Sequence, residues 1–89
     1  MNIDLSNIET ERQLHQVLST KLGFPSFYGN NWDAFWDAIT GLIEMPEEVV
    51  FLGANNLKMR IPNSYDQLKK CLEQLNKMYP SLGCSVTWS

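Results

Sequence analysis

Short strand-like segments alternate with helical segments along this chain, and that order constrains the fold more than any other feature. Val49-Val50-Phe51-Leu52 is a continuous apolar run, which is typical of a strand covered on both faces. Residues 3–5 and 84–88 instead alternate apolar and polar side chains, as strands with one buried face do. Strands separated by helices favour parallel pairing with right-handed crossovers. The sequence therefore predicts an α/β fold, a small three-stranded parallel sheet packed with helices.

The first and third helices are predicted from matching start signals. Thr10 precedes Gln13 by three residues, the spacing of a capping box, and Gly23 is expected to end this helix. Ser64 and Gln67 repeat the spacing and predict a helix that begins at Ser64 and ends at residues 80–83. The predicted apolar faces contain Leu14, Val17, Leu18 and Leu22 in the first helix, and Tyr65, Leu68, Leu72, Leu75 and Tyr79 in the third.

Residues 53–63 allow two structures. Leu57, Met59 and Ile61 alternate with basic residues, as in an edge strand. Asn55-Asn56 could equally begin a short helix that Pro62 closes.

The composition is that of one soluble globular domain over residues 1–89, with 44% hydrophobic and 19% charged residues. A formal net charge of −3 argues against direct binding of nucleic acid or an anionic membrane. Cys71 and Cys84 form no disulfide framework or metal motif, so neither a cofactor nor a metal is expected. The N-terminus lacks the features of a signal peptide, and the cytoplasm is the expected location.

The second helix carries an unusual polar face. It is predicted to begin near Asn30 or Asn31 and to stop at Gly41, with a core-facing stripe of Trp32, Phe35, Trp36, Ile39 and Ile43. Asp33, Asp37 and Thr40 fall together on the neighbouring polar arc. Two aspartates four residues apart repel each other and destabilise a helix by about 0.2–0.5 kcal/mol. Such a pair calls for an explanation other than helix formation.

Two structural explanations compete with a functional one. Asp33 lies in the first turn, where a carboxylate favours the helix dipole, and Asp37 could be a solvated surface charge. The surroundings favour an interface, because residues 22–57 contain five acidic residues and no Lys or Arg. The loop Phe27-Tyr28-Gly29-Asn30-Asn31 adds aromatic and amide groups just before the helix. Aromatic anchors beside paired carboxylates indicate a binding surface for a basic pocket.

The segment from Phe27 to Gly41 resembles the barstar family of ribonuclease inhibitors. It contains a Tyr-Gly-x-Asn loop, two aspartates four apart that flank an aromatic residue, and then Thr-Gly. The first helix adds a family-like Leu14-His15-Gln16-x-Leu18, so the resemblance covers nearly the whole chain. It implies three parallel strands with helices on one side. It also implies an intracellular inhibitor of a secreted, guanyl-preferring ribonuclease of the barnase type.

The resemblance also implies roles for individual residues. Asp37 would enter the phosphate-binding centre of the ribonuclease, Asp33 would pair with a guanine-site arginine, and Phe27 would stack on the catalytic histidine. Trp36 and the residues that follow would supply contact area and backbone hydrogen bonds. The predicted partner-binding residues are Asp37, Asp33, Phe27, Asn31, Trp36, Thr40, Gly41, Leu42 and Glu44.

The chain departs from the family pattern at three places. Lys77 lies where relatives carry acidic residues on the last helix, Leu42 replaces a frequent aromatic residue, and residues 53–63 are longer. Other functions therefore remain open: an immunity protein against a toxin nuclease, or a module for another protein partner. An enzyme using Asp33, Asp37 and Glu44 is disfavoured, because an exposed face offers no pocket to raise a carboxylate pKa.

Overall fold

A computed structural model describes residues 1–89. In chain order its elements are β1 (Asn2–Asp4), α1 (Glu11–Leu22), α2 (Trp32–Asp37) continued by a π-helical turn (Ala38–Leu42), β2 (Glu48–Leu52), α3 (Ala54–Arg60), α4 (Pro62–Met78) and β3 (Ser85–Trp88). No helix has the length and apolar character that crossing a bilayer requires.

The three strands form one parallel sheet in the order β1-β2-β3, which confirms the predicted α/β fold. The central strand β2 is buried on one face only. Val49 and Phe51 point into the core, whereas Leu52 is 37% exposed. The prediction that both faces are covered is wrong, because Val50 lies between the polar residues Asn2 and Thr87 of the neighbouring strands.

The start and end of α1 confirm the signals read from the sequence. The Thr10 hydroxyl accepts a hydrogen bond from the Gln13 amide, and the Gln13 side chain closes the capping box by accepting from the Thr10 amide. Gly23 ends the helix in the left-handed conformation with φ 72°. Two of the four orphan amides at the helix start are thereby satisfied.

Residues 54–60 form the helix α3, so the edge-strand alternative is wrong. Gly53 makes the turn from β2 with φ 70°, and a Cβ there would lie 2.7 Å from the backbone of Ser6. The Asn56 amide then donates hydrogen bonds to the carbonyls of Leu5 and Ile8, at 2.9 and 3.1 Å. These long-range contacts stabilise the helical structure of the segment. The alternation of apolar and basic residues along the chain cannot reveal them.

The helix α4 begins at Pro62 and not at Ser64 as predicted. Proline suits a first helical position, because its missing amide hydrogen would have no partner there. Ser64 is 5% exposed and inside the helix, and its hydroxyl donates to the Glu11 carboxylate at 3.0 Å instead of capping. Tyr79, predicted on the buried side, is 43% exposed because it follows the last helical residue.

The core is one cluster of 18 buried residues from β1, β2, the four helices and the segments that flank them. Cys84, just before β3, belongs to it, and Val86 and Trp88 of β3 pack against it. Phe35, Ala38 and Ile39 belong to it and are at most 1% exposed. They fix the inner face of α2 and its π-helical turn against the rest of the molecule. The opposite face is therefore presented to solvent on a rigid support.

Candidate functional site: the acidic helix and its groove

Asn31 sets the start of α2. Its side-chain oxygen accepts a hydrogen bond from the Ala34 amide at 2.7 Å, and its own amide group donates to the Gly29 carbonyl at 3.3 Å. Asn30 just before it has φ 53°, a left-handed conformation that asparagine tolerates better than most residues. The predicted start at Asn30 or Asn31 is confirmed, and a cap of this type contributes about 1 kcal/mol.

The two carboxylates of the outer face have no partner within the molecule. Asp33 and Asp37 are both exposed, and neither side chain accepts a hydrogen bond or joins an ion pair. The one ion pair of the chain lies elsewhere, between Arg60 and Glu9 at 4.0 Å. Because Asn31 caps the helix, the remaining intramolecular role of Asp33 is its favourable interaction with the helix dipole.

The inner side of the helix start is held by a hydrogen-bonded cluster. The Trp32 indole donates to the Glu11 carboxylate at 2.6 Å, and the Ser64 hydroxyl donates to the same oxygen at 3.0 Å. Glu11 thus links α1, α2 and α4. Local sequence patterns do not reveal this link, since the three residues are distant in the chain.

His15 lies behind the loop that leads into α2. It is fully buried, and its Nδ1 lies 2.6 Å from the Tyr28 hydroxyl, while Nε2 has no hydrogen-bond partner. Its ring packs on Trp32 with 4.5 Å between the ring centroids. Burial lowers the pKa of His15, and the nearby Glu11 carboxylate opposes that shift. Burial also raises the pKa of Tyr28, which stays protonated. The sequence suggests no partner for His15.

The C-terminal end of the acidic helix opens into a π-helical turn. The helix continues one residue beyond the predicted stop at Gly41, and the Ile43 amide donates to the Ala38 carbonyl five residues back. The Thr40 hydroxyl donates to the Trp36 carbonyl at 2.6 Å, a contact that bends helices. A Cβ on Gly41 would meet no atom within 4 Å, so no neighbouring atom of this fold excludes a side chain there.

The other predicted binding residues lie in this helix or in the segments next to it. Phe27 is 75% exposed and Leu42 is 50% exposed, which leaves two large apolar side chains free of the core. Glu44 is also exposed, whereas Trp36 and Thr40 are partly buried. The structure thus places all nine predicted residues in the loop, the acidic helix or the residues that follow it.

A shallow groove of about 400 Å³ runs between α2 and α4 beside the two carboxylates. Its lining is shared by the two helices: Trp32, Asp33, Trp36 and Asp37 from α2, and Gln67, Lys70, Cys71 and Gln74 from α4. Sequence reasoning misses the α4 residues and considers Lys77, which is exposed but does not line the groove. Tyr79 also contacts the site, since its ring lies 6.4 Å from that of Trp36.

The arrangement has the properties of a binding surface. No three His, Cys, Asp or Glu side chains lie close enough to hold a metal ion. Asp33, Asp37 and Glu44 are all exposed at the surface. A larger depression of about 470 Å³ lies on the outer side of α1, away from both carboxylates. The acidic helix therefore offers charge and apolar area to another molecule.

The sequence matches a known family over almost its full length. Residues 1–86 match the family model described as barstar (barnase inhibitor). A relative from Bacillus subtilis (strain 168), named "Putative ribonuclease inhibitor YrdF", is 47% identical over 47 residues. That stretch covers 53% of this chain and 48% of the relative, so the chain matches about half the length of that protein.

Proposed function

Because the chain belongs to the barstar family, we propose that it is a cytoplasmic inhibitor of a barnase-type, guanyl-preferring ribonuclease. The family is one of inhibitors and not of enzymes, which confirms the prediction that the chain is not an enzyme. The inhibitor works by placing the acidic helix and the loop before it over the active site of the ribonuclease.

The observation that carries this proposal is the pair of exposed, unpartnered carboxylates on a helix whose inner face is fixed in the core. A ribonuclease must hold a polyanionic substrate in a positively charged site. Asp33 and Asp37 supply negative charge on a rigid support and can occupy that site in place of RNA phosphates. The inhibitor loses little conformational entropy on binding, since Phe35 and Ile39 already fix the helix.

Each predicted residue has a distinct role in the proposed complex. Asp37 pairs with the cations of the phosphate-binding centre, and Asp33 pairs with an arginine at the base-recognition site. Phe27 supplies an apolar anchor that stacks on an active-site ring. Residues at the end of the helix complete the contact: Trp36, Thr40, Gly41, Leu42 and Glu44, with Asn31 holding the start of the helix.

The lack of a Cβ at Gly41 allows a second protein to approach the backbone of the π-helical turn closely. No packing in the free chain requires glycine at this position. In the proposed complex the backbone there hydrogen-bonds to the ribonuclease.

An RNA-cleavage assay tests the proposal directly. The purified protein is titrated into barnase-type ribonucleases and, in parallel, into toxin nucleases from competing bacteria. Inhibition of a barnase-type enzyme at one equivalent supports the proposal. Inhibition of a toxin nuclease alone assigns the protein to immunity, and no inhibition of either at micromolar concentration rejects the function.

A further inference from the structure

The groove beside the acidic helix carries a positive charge that the proposed contact with a basic site does not use. Lys70 of α4 lines the groove together with Asp33 and Asp37. Its ammonium group forms no ion pair, although the two carboxylates share the groove with it. The three charges therefore remain available to a bound molecule.

A uniformly basic ribonuclease site would meet this lysine with repulsion. Like charges brought together at an interface weaken binding. A partner that presents a cation to the aspartates and an anion to Lys70 avoids this cost. The charges on the two walls of the groove thus describe a partner surface of mixed sign.

The remaining lining fits the same kind of partner. Gln67 and Gln74 flank Lys70 one turn before and one turn after it, and both are exposed. Their amides can donate hydrogen bonds to a carboxylate and accept them from a guanidinium group. The floor is the buried Cys71, whose thiol adds no charge because burial raises its pKa.

We propose that this groove is the specificity-determining part of the binding surface, and that it selects ribonucleases with a carboxylate beside the cations of the active-site rim. The cations of the partner face Asp33 and Asp37, and its carboxylate faces Lys70 and the two glutamines. This inference rests on the proposed function and names the class of ribonuclease that the protein inhibits.

The test compares charge reversal at Lys70 with the same reversal at Lys69. Lys69 is the neighbouring residue and gives the same change in net charge, but it lines a different depression, next to β3. Inhibition constants are measured for the wild type, Lys70→Glu and Lys69→Glu against the barnase-type ribonuclease that the wild type inhibits. We expect Lys70→Glu to weaken inhibition at least about tenfold and Lys69→Glu to change it by less than about twofold.

A reversal on the ribonuclease completes the test. Replacing its rim carboxylate with lysine should weaken binding of the wild type and restore binding of Lys70→Glu, because the pair is then reversed.

If Lys70→Glu binds as well as the wild type or more tightly, the mixed-charge inference is wrong while the proposed function stands. If the wild type inhibits no ribonuclease, the proposed function and the mixed-charge inference are both wrong. If Lys70→Glu changes the urea midpoint but leaves the inhibition constant unchanged, Lys70 affects only the stability of the free protein, and the inference is overturned.

Discussion

The outward and inward faces of α2 place their polar side chains in opposite surroundings. On the inward side the Trp32 indole and the Ser64 hydroxyl both donate to Glu11, and His15 meets Tyr28. On the outward side Asp33 and Asp37 form no side-chain hydrogen bond and no ion pair within the chain. The inward contacts stabilise the fold, whereas the outward carboxylates add little to it: Asp33 interacts favourably with the helix dipole, and Asp37 makes no stabilising contact. A substitution should therefore affect either stability or binding, according to the face it lies on.

Removal of the Asp37 carboxylate should produce the largest effect. Asp37→Ala is expected to weaken ribonuclease binding by about 2–5 kcal/mol, a range carried over from buried charge pairs such as those of the barnase–barstar complex, because it leaves partner cations without a counter-charge. Stability should hardly change. Affinity and the urea midpoint are measured for Asp37→Ala and for Asp66→Ala, an exposed aspartate of α4 outside the groove. Equal affinity of Asp37→Ala and the wild type would contradict the assignment.

A substitution of Glu11, on the inward side, should lower stability. Glu11→Ala should lower the free energy of unfolding by about 1–3 kcal/mol, because the Trp32 and Ser64 donors lose their acceptor. Glu11→Gln keeps an acceptor oxygen and should lose less. Urea unfolding measures both. Glu9→Ala is the control, since its carboxylate makes only a 4.0 Å ion pair. Similar losses in Glu9→Ala and Glu11→Ala would show that the cluster has no special role.

The stability of the protein should also depend on pH, because His15 is buried on the inward side of α2. Because burial lowers the pKa of His15 in the folded state, the unfolded chain takes up a proton first as the pH falls. The contribution of neutral His15 to the free energy of unfolding is therefore fully present above the unfolded pKa of about 6.5. It is lost as the pH falls below that value, by at most about 1.4 kcal/mol per pH unit. The free energy of unfolding is measured from pH 7.5 to 5.5. His15→Gln should remove the slope in this window even if it lowers stability throughout, and an unchanged slope would exclude His15 as its source.

The smallest expected effect distinguishes the two outward carboxylates from each other. Asp37→Asn removes the repulsion between residues four apart and should raise stability by about 0.2–0.5 kcal/mol. Asp33→Asn removes the same repulsion but also loses a favourable charge in the first turn, so its net change should be near zero. Urea midpoints at low ionic strength measure both. A loss of stability in Asp37→Asn would mean that this carboxylate has a role in the fold.

The sequence predicts those features that depend on neighbouring residues or on regular spacing. The capping box at Thr10, the start of α2 and the alternation of strands with helices along the chain all follow from such local signals. The groove and the Glu11 cluster do not, because they join residues of α1, α2 and α4 that only the packed fold brings together. In one of the two alternatives for residues 53–63, Pro62 closes a short helix, and local signals do not show that it also begins the next helix. Periodicity assigns Tyr79 to the buried side, but the helix ends at Met78, before the pattern reaches it.

Displacement of a bound oligonucleotide tests most directly whether the acidic helix occupies the site of the RNA phosphates. A fluorescent single-stranded DNA oligonucleotide, which the ribonuclease cannot cleave, is bound to the enzyme and followed by anisotropy. The wild type should release it at one equivalent, and a variant carrying both Asp33→Asn and Asp37→Asn should not release it at that concentration. Continued binding of the oligonucleotide in a ternary complex with the wild-type inhibitor would contradict the account.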